Sequence, residues 1–392
     1  MELRDAASVQ GWLEQRAGDM AGLVEELVAI DTENPPGRGL GACGCVLRDA
    51  MAGLGLDAEL IELPAVGGLE EPCIVRASAG HGEAIVYFHG HFDVVPAQSR
   101  AQFRPARRGG RIAGRGTADM KGGLVSMLYG AAAAKELGLL GGGRVVVHFV
   151  CDEETGSSAG SQHLRDAGLI DSRALAMLTA EPTGGAAWHE SRGAITLRVD
   201  VRGREAHVGH AHLGVNAFAA MTRVAGPLVA LADELLARGT MLVVGGTAGS
   251  GASFNAVPGS AWFSIDCRFN PEAELEEELG RLTGAVGDAA AAAGAEVSVS
   301  VLQRAPSART DERHPAARAL ARCVELVEGA APAFELCPGV LETRWYSQLG
   351  IPALAYGPGR LDVSHGPDEF VEEAALRRCA AIYALAAGEL LG

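Results

Sequence analysis

The sequence has little positive charge, no long apolar run and no leader-like start. Arginine and lysine total 33 against 49 aspartate and glutamate residues, a formal net charge of −16. Because phosphate contacts require a basic surface, this balance argues against a nucleic-acid partner. No stretch reaches the roughly 18 apolar residues of a membrane span, and MELRDAASVQGWLEQ lacks an apolar core of signal-peptide length. We therefore expect a cytoplasmic protein with no membrane partner.

Paired cysteines are also missing. The eight cysteines are scattered without the CxxC spacing of a structural zinc site. The CGC segment at Cys43 and Cys45 is a poor candidate for a metal site made of two thiols, because positions two apart on a helix do not share a face. We expect buried free thiols.

The composition that is present fits a globular protein of two domains. The chain has 392 residues, of which 48% are hydrophobic and 21% charged, and single cores rarely grow past about 250 to 300 residues. Apolar runs at residues 84–88, 145–150 and 175–180 have the length of strands buried on both faces, and helical segments separate them. The order predicts an α/β fold with a mostly parallel sheet and helices on both faces.

The pattern changes from about Trp188. The segments AITLRVDVRG, AWFSIDCRF and EVSVSVL alternate apolar and polar residues, and helices separate them in the order β-α-β-α-β. Such alternation predicts a sheet with one solvated face. We expect an inserted α+β domain at residues 188–305, which interrupts a catalytic domain made of residues 1–187 and 306–392.

Acidic and imidazole side chains follow the predicted strands, where sites form in parallel sheets. The segments are GHFDVVP (His91, Asp93), GRGTADMKGG (Asp119), CDEETG (Glu153, Glu154), TAEPT (Glu181) and SHGPDEF (His365). Two divalent cations about 3.5 to 4 Å apart need five to seven oxygen or nitrogen ligands, one of them a bridging carboxylate. The predicted ligands are His91, Asp119, Glu154, Glu181 and His365.

Three neighbouring residues have other expected roles. Asp93 can accept a hydrogen bond from the second ring nitrogen of His91 and so orient that ligand. Adjacent residues of a strand point to opposite sides, so one of Glu153 and Glu154 can bind metal while the other acts as general base; we assign the base to Glu153. His89 could form an HxH pair with His91, but a packed structural role is favoured.

A basic segment, RAQFRPARRGGRIAGRG, stands out in this acidic chain between Arg100 and Arg115. The favoured interpretation is a hairpin whose arginines pair with surface acids. The alternative is a selector for an anionic acyl group or a carboxylate.

In this order the motifs closely resemble the two-zinc aminoacylase family, which includes acetylornithine deacetylase, succinyl-diaminopimelate desuccinylase and related zinc carboxypeptidases. The resemblance covers nearly the whole chain. It implies two Zn²⁺ per subunit, replaceable by Co²⁺ or Mn²⁺, with His91 and Glu181 at one ion, Glu154 and His365 at the other, and Asp119 between them. It also implies that Glu153 is the general acid and base.

The inserted segment resembles that family's lid and dimerisation domain, through REAHVGHAHLGVNA and NAVPGSAWFSIDCR. The resemblance implies a homodimer in which His207 reaches the partner's site and stabilises an oxyanion. It implies that Asn255 and Arg268 hold the substrate carboxylate, helped by Gly357 and Gly359 of the GPG loop. For Arg268 a surface ion pair, and for His207 a strand-end cap, remain the alternatives.

Two segments depart from the family pattern. Val208 and Ala211 replace the serine and proline of the usual AHSxxP stretch, and His210 and His212 add two further imidazoles. LETRWY stands where desuccinylases place a threonine-serine-aspartate run, which disfavours succinyl-diaminopimelate as substrate.

These observations predict an amidohydrolase that removes the acyl group from an N-acyl amino acid. Glutamate at position 181 favours deacylation, because the family's peptidases tend to carry aspartate there. The alternatives are a dipeptidase or carboxypeptidase that cleaves a short peptide at the same site and, less favoured, an inactive metal-containing binding protein.

Overall fold

The chain forms two units. The computed structural model describes residues 3–64, 68–156 and 159–392. The larger unit consists of Met1–His189, Arg309–Leu336 and Glu342–Gly392. The smaller unit consists of Glu190–Ala308 and Cys337–Leu341. Residues 337–341, expected in the catalytic domain, belong to the smaller unit in the structure.

Helices are distributed along the whole chain. Their bounds are α1 Leu3–Glu14, α2 Ala17–Ala29, α3 Leu40–Gly53, α4 Gly122–Glu136, α5 Ser161–Asp166, α6 Ala217–Leu236, α7 Leu275–Ala293, α8 Pro315–Glu328, α9 Thr343–Ser347 and α10 Glu373–Leu391. None of those in the described part of the chain combines the length and the apolar character needed to cross a bilayer. Two helices, α1 and α2, precede Asn34.

Among the described residues, the strands fall into four sheets. Their bounds are β1 Asp57–Glu62, β2 Cys73–Gly80, β3 Ile85–His91, β4 Ala106–Arg108, β5 Arg111–Ala113, β6 Arg144–Val150, β7 Ala176–Thr179, β8 Ala187–Ser191, β9 Gly193–Arg202, β10 Ala206–His207, β11 Met241–Ser250, β12 Ala256–Val257, β13 Ser260–Phe269, β14 Glu296–Ala305, β15 Ala308–Arg309, β16 Phe334–Cys337, β17 Ala353–Ala355 and β18 Phe370–Glu372.

The largest sheet carries its parallel strands at the centre. Its order is β1-β2-β6-β3-β7-β17-β8-β15, and β16 pairs with β8. Strand β3 is parallel to β6 and β7, and β17 is parallel to β7. Towards the two edges the pairing becomes antiparallel, at β1 with β2, β2 with β6, and β17 with β8. The predicted α/β class is confirmed, and the carboxyl ends of the central strands share one edge.

Helices cover both faces of this sheet, as the buried runs predicted. Alternate side chains of β3 enter different cores, because successive residues of a strand point to opposite faces. Val86 and Phe88 belong to the core shared with α4 and α10. Ile85 and Tyr87 pack in a second core with Tyr346 of α9. Burial on both faces explains why β3 has no polar alternation.

Strands β4 and β5 form the hairpin expected in the basic segment. A third strand, β18, joins β5 in antiparallel pairing. The last helix, α10, begins directly after this strand, at Glu373.

The smaller unit is an antiparallel sheet with order β11-β13-β9-β14. Helices α6 and α7 contribute to a core with alternate residues of β9 and β13. The other face of these strands is partly exposed, as the alternating pattern predicted.

Strand β11 was missed by the sequence analysis, which placed one strand between the two long helices. Its sequence, MLVVGGTAGS, contains three glycines, and most of its residues are exposed. An edge strand that buries few side chains lacks the apolar pattern by which strands are recognised. The observed order of the main elements is therefore β-α-β-β-α-β.

Candidate metal centre and active site

The central strands of the larger unit deliver the candidate ligands to one edge of the sheet. His91 is the last residue of β3, and Glu153 and Glu154 follow β6. Glu181 follows β7 by two residues. Asp119 lies in a tight turn between β5 and α4, and the peptide bond after it is cis.

One group of ligand atoms forms around His91. Its Nε2 lies 3.2 Å from Asp119 Oδ1 and 4.0 Å from Glu181 Oε1. One nitrogen or oxygen from each of the three residues lies within 4.8 Å of the others. All three side chains are largely buried, so their charges are poorly screened.

A second group forms around His365. Its Nε2 lies 3.2 Å from Asp119 Oδ2 and 3.6 Å from Glu154 Oε1. These three residues also offer ligand atoms within 4.8 Å of one another. Asp119 belongs to both groups and gives one carboxylate oxygen to each, which is the geometry of a carboxylate between two cations.

The glutamates of the site have raised pKa values. Burial raises the pKa of Glu181 to about 8; His91 opposes this rise, and the Asp119 and Glu154 carboxylates reinforce it. Burial also raises the pKa of Glu154, although its hydrogen bond with His365 opposes the rise. Glu153 belongs to neither ligand group. Burial raises its pKa well above the ordinary value, with opposition from His91 and reinforcement from Glu154.

The pKa values of the two imidazoles are also raised, whereas that of Asp119 is lowered. Burial lowers the pKa of His91, but hydrogen bonds with Asp119 and Asp93 outweigh it and leave the pKa well above its usual value. Hydrogen bonds with Asp119 and Glu154 raise the pKa of His365 to about 10. Burial would raise the pKa of Asp119, but both histidines lower it below its usual range. Positive charge at the imidazoles thus stabilises the carboxylate between them.

The donor set fits divalent cations. In the described part of the chain, no lysine or arginine pairs with Asp119, Glu153, Glu154 or Glu181. Buried carboxylates need a compensating positive charge, and oxygen with imidazole nitrogen is a ligand set that zinc accepts. A metal at either group would take the place of an imidazole proton, because a ligating histidine must be neutral.

Asp93 contacts His91 through two atoms. His91 Nδ1 lies 3.0 Å from the main-chain oxygen of Asp93 and 3.4 Å from carboxylate Oδ1. The main-chain oxygen is therefore the closer of the two acceptors. Either contact leaves Nε2 of His91 directed at Asp119.

The Asp93 carboxylate has a further task. It accepts the backbone N–H groups of Glu153 and Glu154, each at 3.1 Å, and the side-chain amide of Asn34 at 2.9 Å. Asp93 is fully buried. One carboxylate thus joins the ligand at the end of β3 to both glutamates at the end of β6, which makes Asp93 a positioning residue.

Glu369 is a residue that the sequence analysis missed. Its Oε1 accepts the backbone N–H groups of Ala118 at 3.0 Å and Asp119 at 3.2 Å. Glu369 belongs to the SHGPDEF segment that had been singled out for His365. No pattern in a single sequence indicates that a side chain there reaches the backbone at Asp119.

His89 has the packed role that was favoured for it. Its Nδ1 lies 3.0 Å from the hydroxyl of Tyr346, and its Nε2 lies 3.2 Å from Glu342 and 2.9 Å from Ser161 Oγ. All of these groups are buried. These contacts connect β3 to the starts of α5 and α9. Glu342 of LETRWY therefore belongs to a buried network that packs against β3.

Gly357 and Gly359 allow close approach of the backbone to the ligand segments. A Cβ at Gly357 would lie 2.2 Å from the carbonyl oxygens of Ala180 and Glu181. One at Gly359 would lie 2.4 Å from the Ala118 carbonyl oxygen. Both glycines also line a cavity of about 420 Å³, whose walls include none of the candidate metal ligands. This close packing explains why glycine is needed at both positions of the GPG loop, whether or not the loop also binds substrate.

His207, Asn255 and Arg268 all belong to the smaller unit. His207 is exposed, and its Nδ1 accepts the N–H of Gly209 at 3.1 Å, so it caps a short turn. The backbone oxygen of Asn255 accepts the N–H of Val208 at 2.9 Å, which places Asn255 beside His207. Arg268 lies on β13, where its guanidinium pairs with Asp266 at 2.8 Å.

Replacement of Asp93 by asparagine tests its positioning role. The new amide would direct an NH₂ group at a backbone N–H of Glu153 or Glu154, and two donors cannot pair. We expect an affinity for divalent metal about 10 to 100 times lower, measured by titration of metal-free protein. The control is Asp171→Asn at the Arg173 pair on the surface, for which affinity should not change. Equal affinities in the two variants would contradict the role of Asp93.

Comparison with known proteins identifies the family. A sequence profile of Peptidase family M20/M25/M40 matches residues 87–389. Acetylornithine deacetylase of Myxococcus xanthus is 28% identical over 331 residues, 81% of this chain and 83% of that protein. The uncharacterised protein YgeY of Escherichia coli (strain K12) is 28% identical over 392 residues, 93% of each chain.

A solved structure has the same fold. The metallo-carboxypeptidase Sso-CP2 of Sulfolobus solfataricus superposes with a TM-score of 0.78 at 16% identity, over 94% of this chain and 98% of that one. The family match covers most of the chain and includes every candidate metal ligand. The chain therefore belongs to Peptidase family M20/M25/M40, whose members are metallohydrolases of amide and peptide bonds.

Proposed function

We propose that this protein is a two-metal amidohydrolase that removes the acyl group from an N-acyl amino acid. The observation that carries the proposal is the division of the ligands into two groups that share Asp119, with Glu153 in neither group. We assign one ion to His91 and Glu181 and the other to Glu154 and His365. The ions proposed are Zn²⁺, for which Co²⁺ or Mn²⁺ could substitute.

Glu153 is the proposed general base and acid. Bound zinc ions would supply Lewis acidity and a water with a lowered pKa. Glu153 would take a proton from the attacking water and return it to the leaving amine. Two features support this role: its side chain is not in either ligand group, and Asp93 fixes its backbone.

A neutral acyl group is the proposed substrate feature. Four of the six arginines in the basic segment pair with carboxylates of the chain, namely Arg100, Arg107, Arg111 and Arg115. Paired guanidinium groups are poor selectors for an additional anion, because that anion would have to displace an existing partner. The pairing of four of the six arginines favours acetyl or formyl groups over succinyl and other anionic acyl groups.

A homodimer is the proposed assembly, with His207 acting at the partner's site. Because Nδ1 of His207 accepts a hydrogen bond, the neutral ring carries its proton on Nε2, which could donate to an oxyanion. Asn255 and Arg268 would bind the substrate carboxylate, and Gly357 and Gly359 are further proposed substrate-binding residues. Exposed apolar side chains of the smaller unit support a protein contact; they include Val208, Leu213, Phe218, Val229, Val243 and Phe254.

A cytoplasmic location is proposed on the state of the cysteines. All eight are free, and all except Cys45 are buried. Thiols without disulfide partners are typical of reducing compartments.

Replacement of Glu153 by glutamine should separate turnover from metal binding. The amide cannot accept the proton of the attacking water, so kcat should fall by a factor of about 10² to 10⁴. Metal content, measured by elemental analysis, should match that of the unaltered protein. The matched variant is Glu154→Gln, which should lose metal as well as activity. Full turnover by a metal-loaded Glu153→Gln protein would rule out the base assignment.

A substrate panel tests the reaction itself. Zinc-loaded protein is offered N-acetyl, N-formyl and N-succinyl amino acids together with dipeptides and C-terminally extended peptides. We expect the highest kcat/KM for N-acetyl or N-formyl amino acids and a lower value for N-succinyl compounds. Faster cleavage of dipeptides or of C-terminal residues would assign the protein to the peptidases. No turnover of any compound, with metal bound, would favour the binding protein.

Mixing of two inactive variants tests whether His207 acts across subunits. Glu153→Gln and His207→Ala proteins are unfolded together and refolded as a mixture. In a mixed dimer the His207→Ala subunit keeps Glu153 and receives His207 from its partner, so random pairing should restore about one quarter of the activity. His210→Ala, alone, should stay active. No recovery in a mixture shown to contain mixed dimers would overturn the cross-subunit role.

A further inference from the structure

His365 is the most exposed of the candidate ligands. Its side chain is 49% exposed, whereas that of His91 is 1% exposed. It lies on an irregular segment between β17 and β18, and its backbone has a φ of 62°, in the left-handed region. A non-glycine residue in that region needs support from its surroundings. The support for His365 comes from the segment that contains the basic hairpin.

The carbonyl oxygens of the His365 turn are held by side chains from residues 98–115. Gln98 Nε2 donates to the His365 oxygen at 2.7 Å. Gln102 Nε2 donates to the oxygens of Gly366 at 2.9 Å and Pro367 at 3.3 Å. These bonds fix the backbone from His365 to Pro367, next to the ring that reaches Asp119.

Arg115 ties the same turn to the bridging carboxylate. Its guanidinium donates to the His365 oxygen at 3.2 Å and to Gln98 Oε1 at 2.8 Å. It also pairs with Glu369 at 2.6 Å in a fully buried ion pair. The other oxygen of Glu369 accepts the N–H groups of Ala118 and Asp119. A continuous chain of hydrogen bonds therefore joins the backbone of His365 to that of Asp119.

Neither interpretation of the basic segment, as a surface hairpin or as an anion selector, accounts for these contacts of Arg115. Arg100, Arg107 and Arg111 pair with carboxylates and are 40% exposed or more, as the hairpin interpretation expects. Arg115 differs because it is 1% exposed, and four of its five acceptors are uncharged oxygens, three of them in the main chain. A buried arginine whose donors reach main-chain oxygens organises backbone and leaves little capacity to select a ligand.

We propose that Gln98, Gln102, Arg115 and Glu369 are positioning residues that form a cradle for the His365 turn and set its distance from Asp119. Loss of the cradle should weaken metal binding at the group of Asp119, Glu154 and His365, and should spare the group of His91, Asp119 and Glu181. The inference rests on the proposed two-metal centre. It extends that proposal by giving one of the two ions its own set of supporting residues.

The test uses the full chain and Co²⁺ as a visible probe. Metal-free protein is titrated with Co²⁺, and the absorption of each bound ion is followed. The unaltered protein should bind two ions. Gln98→Ala and Arg115→Met should bind one ion unchanged and the other with an affinity roughly 10 to 100 times lower. Gln98 is exposed, so its variant should fold even if loss of the buried Arg115 destabilises the protein.

Arg111→Met is the matched control, because it removes an arginine of the same hairpin whose partner, Glu372, is on the surface. It should bind two ions like the unaltered protein. Two unchanged affinities in Gln98→Ala would overturn the cradle, as would equal weakening of both ions. Loss of both ions in Arg115→Met counts only if thermal unfolding shows a folded protein, and would then also contradict the proposal.

A second measurement separates failure of the cradle from failure of the proposed function. The rate of backbone amide hydrogen exchange in metal-free protein reports directly how well ordered residues 363–369 are. Gln98→Ala should speed exchange there, with no change in β3 or β6. If the unaltered protein bound no Co²⁺, the two-metal proposal would fail, and faster exchange would still support the structural cradle. Unchanged exchange in residues 363–369 would refute the cradle whatever metal the protein binds.

Discussion

The rest of the site depends on one carboxylate, that of Asp119, which faces two imidazoles at once. Its oxygens lie 3.2 Å from His91 Nε2 and 3.2 Å from His365 Nε2. Two groups of ligands can share Asp119 only if its backbone is fixed, because rotation of the carboxylate towards one histidine would move it away from the other. Glu369 fixes the N–H side of Asp119, and the packing of Gly359 against Ala118 limits movement of the turn. The carboxylates around it then assemble in a fixed geometry.

Strand ends were the part of the site that the sequence could predict. An apolar run followed at once by an acid or a histidine identifies the carboxyl end of a buried strand, and parallel strands bring such ends together. His91, Glu154 and Glu181 were assigned in this way, and the structure places all three close to Asp119 or His365. The α/β class followed from the same runs, because strands buried on both faces are continuous in apolar residues.

The supporting residues could not be predicted, because their function depends on contacts between distant segments. Asn34, Gln98 and Glu369 carry no local signature, and each acts by a hydrogen bond to a residue far away in the chain. Two edge strands were not predicted for a different reason. Strand β11 buries few side chains, and β18 has only three residues, so neither shows a usable periodicity. Apolar periodicity can be recognised in a single sequence, whereas polar contacts between distant segments cannot.

The position of His365 in the chain has a consequence for how the protein folds. His91, Asp119, Glu154 and Glu181 all lie before the smaller unit, on or beside strands that pair with one another. His365 comes after it, so the whole smaller unit lies within the loop that must close before His365 meets Asp119. Long loops close at an entropic cost and slow the formation of the contacts they join. The contact of His365 with Asp119 therefore carries an entropic cost of loop closure that the contact of His91 with Asp119 does not.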